Sequence, residues 1–120
     1  MVHHRIYHWG MVWYWDHGCC GNCKGGLIVK RTLERAIAHY GEHMQMVVAM
    51  EEMSELQKEL AKAIRGKPNR KAIAEEIADV EIMLEQIKIM FKSDCAVKLW
   101  KIQKIERLNN RMEADSNGEK

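Results

Sequence analysis

The chain contains no apolar run that approaches the ~18 residues of a membrane span. No membrane partner is expected. The N-terminus lacks the basic start and uninterrupted apolar core of a signal peptide. There is no spaced disulfide framework: of four cysteines, three crowd together at Cys19, Cys20 and Cys23, and Cys95 stands far away. A reducing, cytoplasmic setting is the expectation. Charge of one sign is not in excess either, since the formal net charge is +2. That removes the global reason to expect nucleic acid as a partner. No internal repeat is present. A length of 120 residues suits one core of modest size.

What is present falls into unlike segments. Residues 1–26 hold three of the four tryptophans, four of the six histidines and five of the eight glycines. They read as an irregular leader. Residues 27–113 read as one all-α domain, an antiparallel bundle of about four helices, and residues 114–120 as a polar tail that frays. The first helix is expected from about Thr32 to Tyr40, with Gly41 as its stop. The second runs from about Glu42 to Arg65 and is closed by Gly66 and Pro68. The third begins after Asn69, a good cap, and reaches about Phe91. A break at Lys92–Asp94 precedes a fourth helix that ends near Glu113. Short connections between long helices make neighbours antiparallel.

Helical periodicity sorts the many carboxylates, because each residue advances about 100° around the axis. On the second helix Met46, Ala49, Met53, Leu56, Leu60 and Ile64 form an apolar stripe. Glu52 lies at its border, Glu55 and Glu59 fall on the same flank, and Glu51 points away. On the third helix Ile73, Ile77, Val80, Leu84, Ile87 and Phe91 form the stripe. Glu76 lies about 60° from its centre, with Asp79 one step further out, whereas Glu75, Glu81 and Glu85 point elsewhere. An ionised carboxylate on a packed face is costly unless something compensates it, and a hard cation with oxygen ligands does so. The pairs Glu52-x-x-Glu55 and Glu76-x-x-Asp79 each share a face by their i, i+3 spacing. All-oxygen ligation selects magnesium, or manganese, over zinc. The Glu-x-x-His motifs of a di-iron bundle are absent. Either pair alone is more often a solvated face with ordinary ion pairs; it is their repetition on consecutive helices that points to a metal site.

The segments Met50-Glu51-Glu52-Met53-Ser54-Glu55-Leu56 and Ala74-Glu75-Glu76-Ile77-Ala78-Asp79-Val80 resemble the paired EExxEL and EExxD motifs of the MazG-like, all-α nucleoside triphosphate pyrophosphohydrolases. The likeness covers roughly residues 30–112. It implies a magnesium-dependent hydrolase that splits an NTP or dNTP between its α- and β-phosphates, giving a nucleoside monophosphate and pyrophosphate. Glu52, Glu55, Glu76 and Asp79 would be the metal ligands and catalytic carboxylates. Gln45 would lie near the substrate, and Lys104, Arg107 and Arg111 would meet the phosphates. The resemblance also implies a homodimer or homotetramer. Neither the preferred base nor the sugar follows from it.

Other features admit plainer readings. Lys104, Arg107 and Arg111 share one flank of the fourth helix with Trp100 beside them, but a basic face near a helix C-terminus is also favoured by the dipole. Lys101 falls inside the apolar row Ile102, Ile105, Leu108 and Met112, where it can snorkel. Met44, Met46, Met50 and Met53 suit a core or a subunit interface. Cys20-x-x-Cys23, with His17 and Cys19 near, is one clear pair where a structural zinc site shows two. The alternative to an enzyme is a non-catalytic helical bundle that binds a partner protein, its carboxylates serving as surface ion pairs.

Overall fold

The computed structural model describes residues 24–118. Among these, four α-helices and no strand are found: α1 (Lys24–Tyr40), α2 (Glu42–Ile64), α3 (Arg70–Met90) and α4 (Asp94–Gly118). The expected leader (1–26) and the Cys19, Cys20, Cys23 and His17 cluster lie outside the described residues, except for the start of α1. No described helix is long and apolar enough to cross a membrane.

The middle helices end as their local chemistry dictates. Asn69 caps α3, its side chain accepting from the Ala72 N–H at 3.1 Å. Gly66, at φ 79, turns the chain out of α2. The Lys67 N–H then reaches back to the Lys62 carbonyl at 3.0 Å, and the Gly66 N–H to the Ala63 carbonyl at 2.9 Å. The same motif closes α3 without a glycine: Lys92 takes φ 50, and the Ser93 N–H bonds the Lys88 carbonyl at 3.0 Å. Between α1 and α2 there is a single residue, Gly41, at φ 86 and ψ 148. A side chain is scarcely tolerated in that region of backbone space.

Both outer helices are longer than expected. α1 begins at Lys24 rather than near Thr32, because Gly25 and Gly26 fall in its first turn, where backbone N–H groups have no helical partner in any case. Thr32 lies well inside the helix, its hydroxyl donating to the Ile28 carbonyl at 2.9 Å. A truncation that spares this helix therefore starts at Lys24, not at Leu27. α4 runs on through residues 114–118, which were expected to fray. There, side chains bind along the helix: Asn109 donates to Glu113 at 2.7 Å and Ser116 to the Met112 carbonyl at 2.8 Å.

Packing is concentrated in the α2–α3 hairpin, with α1 laid against both helices. The seam does not follow the apolar stripes that periodicity marks. Its buried residues are Gln45, Ala49 and Glu59 on α2, and Glu76, Met83 and Gln86 on α3. Met53, Leu60, Ile64, Ile77, Leu84 and Phe91, all expected in the core, are exposed. The seam is rotated toward the polar flank, and much of each apolar stripe faces outward. α4 buries no residue and leaves Leu99, Trp100, Ile102, Ile105, Leu108 and Met112 in the open.

The two left-handed glycines should respond differently to alanine. No neighbouring atom obstructs a Cβ at either, so only backbone conformation enters. Gly66→Ala is expected to cost about 1 kcal/mol, and Gly41→Ala more, up to about 3 kcal/mol. Urea denaturation of the two variants checks the order.

Candidate functional site

The hairpin brings together carboxylates from both of its helices. One oxygen each of Glu52, Glu76 and Asp79 can be chosen so that all three lie within 4.8 Å of one another. Glu76 is buried at 8% exposure, while Glu52, Asp79 and Glu55 are half-buried. Each arrives by helical arithmetic. Glu52 follows Gln45 and Ala49 along one face of α2, and Asp79 follows Glu76 by three residues on the inner face of α3. The carboxylates read as outward, Glu51, Glu75, Glu81 and Glu85, are exposed.

Electrostatics mark the cluster as a place of concentrated negative charge. The Glu52 carboxyl is pushed from 4.5 up to about 7, first by burial, then by the charges of Asp79, Glu55, Glu76 and, least, Glu51. Glu55 stands outside the three-oxygen group yet close enough to act on Glu52. Glu59, one turn beyond, is buried at 7% and pairs with the Lys62 ammonium at 2.5 Å. Among the described residues the cluster offers carboxylate oxygens, from one buried and two half-buried residues, and that donor set fits a hard divalent cation such as magnesium.

The remaining expected site residues divide. Gln45 lies on the same seam, buried at 6%. Lys104, Arg107 and Arg111 lie on exposed α4. The helix packing lies among α1, α2 and α3, so the fold does not gather these three cations with the carboxylates of their own chain. Where α3 passes into α4, Lys88 pairs with Glu85 and approaches Asp94 at 3.8 Å. Lys98 holds Asp94 at 2.7 Å, and this hydrogen bond lowers the Asp94 pKa.

One residue was not anticipated. Gln86 is the second most buried side chain described, at 4% exposure. Its amide nitrogen donates to the Met83 sulfur at 3.5 Å, and its Oε1 has no hydrogen-bond partner. The signal was its place seven residues after Asp79, which returns to the same helix face within about 20°.

Comparison of the chain with protein-family models, curated proteins and solved structures found no match.

The Glu52 shift has a stability consequence in metal-free protein. The folded pKa lies above the unfolded value, so protonated Glu52 favours the fold. That contribution is full below about pH 4.5 and is lost as pH rises through about 7. Glu52→Gln is neutral at every pH. Its stability relative to the parent chain should therefore rise from about pH 5 to about pH 8 and level off beyond. Urea midpoints of both proteins across that range, in the presence of a chelator, measure the difference.

Proposed function

We propose that this chain is a magnesium-dependent nucleoside triphosphate pyrophosphohydrolase of the MazG-like kind, converting an NTP or dNTP to the monophosphate and pyrophosphate. The observation that carries the reading is the convergence of Glu52, Glu76 and Asp79 from two consecutive helices onto one packed seam. Carboxylates that served only solubility would gain nothing by meeting there, and burial near like charges costs free energy.

Glu52, Glu55, Glu76 and Asp79 would hold the metal, magnesium or manganese. When bound, it would neutralise triphosphate charge and lower the pKa of a bound water. The protein's own groups do the rest. Glu76, the deepest of the four, anchors the cluster. A carboxylate oxygen left outside the ligand set takes the proton released by the attacking water.

The departing pyrophosphate needs cations, and Lys104, Arg107 and Arg111 suit it by charge. Since α4 stands apart from its own hairpin, these residues serve a site by reaching a second copy of the chain. A homodimer or homotetramer also covers the apolar stripes that one chain leaves exposed. Light scattering of the full chain at micromolar concentration should give at least twice the 14.0 kDa chain mass; a stable monomer would refute the assembly.

The second reading, a non-catalytic module that binds a partner protein, draws on the same exposed row of α4. Activity separates the two. With magnesium, a panel of ribo- and deoxynucleoside triphosphates should yield pyrophosphate, and chelator should abolish the release. Glu76→Gln keeps shape and removes charge, so the rate should fall by roughly two orders of magnitude or more while the helical spectrum persists. Glu75→Gln, on the outer face, should stay within about twofold. It is a cleaner control than Glu51, which contributes to the Glu52 shift. Hydrolysis that survives chelation, or equal losses at positions 75 and 76, would sink the enzymatic reading.

A further inference from the structure

Two glutamines sit on the hairpin seam among apolar and acidic neighbours, and their spacing ties them to the carboxylate cluster. Gln45 precedes Glu52 by seven residues, and Gln86 follows Asp79 by seven. Each step is nearly two full turns, so Gln45 shares a face with Glu52 and Gln86 shares a face with Asp79. The helices run in opposite directions through the tight turn at Gly66. Moving back along α2 and forward along α3 is therefore movement toward the same end of the hairpin. Because Glu52 and Asp79 meet, the register puts Gln45 and Gln86 at a common level, about 10 Å further along the seam.

A buried primary amide is costly unless its donors and acceptor are used. In Gln86 the amide orientation follows from its nitrogen donating to the Met83 sulfur. The oxygen is left buried at 4% side-chain exposure with no partner. Core packing alone would be better served by leucine or methionine at this position. The acyl oxygen asks for an N–H or O–H donor that the described residues do not provide.

Resting on the pyrophosphohydrolase reading, we infer that Gln86, with Gln45 opposite, forms the subsite for the nucleobase, Gln86 Oε1 accepting from a base N–H and thereby helping to select the substrate. The separation along the seam is about the reach from an α-phosphate to the far edge of its base. A nucleobase presents fixed N–H donors beside acceptors, and a pair of carboxamides complements that pattern without charge. The base enters between α1 and the hairpin. Among the described residues Leu33 is the one buried side chain that α1 contributes, so little buried packing has to part there.

The test uses the full chain and Gln86→Met, which keeps length and removes the amide. Hydrolysis of the best nucleoside triphosphate is compared with that of ribose 5-triphosphate, which has no base, both with magnesium. The expected result is a fall of about tenfold in kcat/KM on the nucleotide, no change on ribose 5-triphosphate, and a melting temperature that is equal or higher. Equal losses on both substrates, or no loss on either, overturn the inference. A second arm does not depend on turnover. The side-chain amide resonance that disappears in the Gln86→Met spectrum should shift when uridine, cytidine, adenosine or guanosine is titrated into the parent protein. If no triphosphate is hydrolysed but that resonance shifts, the enzymatic reading falls and the base site stands. If hydrolysis proceeds and no nucleoside moves it, the base site falls and the enzyme stands.

Discussion

Like charges held together between two helices are the constraint on which the rest of this molecule turns. Glu52, Glu76 and Asp79 bring carboxylate oxygens within 4.8 Å of one another on a partly buried seam. Water screens such repulsion poorly there, and the Glu52 carboxyl responds by holding its proton to about pH 7. Buried apolar contact helps to hold the hairpin closed against this repulsion. Ala49 and Met83 supply buried apolar contact on the seam, and Leu33 of α1 adds to it. Among the described residues no large side chain is wholly buried. Such a seam would gain from any cation that bound the cluster.

Helical periodicity anticipated the direction of individual carboxylates well. Glu76 is buried and Glu51, Glu75, Glu81 and Glu85 are exposed, as the angular positions require. The turn at Gly66 and the Asn69 cap were equally legible, because both depend on local chemistry alone. The angular offset of the packed seam was not. Periodicity finds the apolar stripe, but which side of it meets the neighbouring helix depends on what else is present to cover it. With α4 set apart, Met53, Leu60, Ile77 and Leu84 remain at the surface, and the polar flank closes instead.

Gln86 was missed for a related reason. A glutamine among charged residues reads as a solvated position, and only the register with Asp79 betrays it. The separation of Lys104, Arg107 and Arg111 from the carboxylates was likewise beyond sequence reasoning, since charge pattern places residues on a helix but does not say where that helix goes. α1 and α4 run beyond their expected bounds, α1 across the composition break at residue 26 and α4 through the polar residues 114–118. In α4, side chains such as Ser116 and Asn109 bind within the helix.

The single-residue joint at Gly41 has a consequence for how this chain can diverge. With one residue between two helices, there is no slack to absorb a change in length. An insertion or deletion at that joint would turn the hairpin about its axis by about 100° per residue relative to α1. Leu33 would then face a different side of the hairpin. Related chains should therefore vary more readily at the exposed Lys67 and Pro68, between the Gly66 turn and the Asn69 cap, while keeping the spacing from Leu33 to Gln45 unchanged.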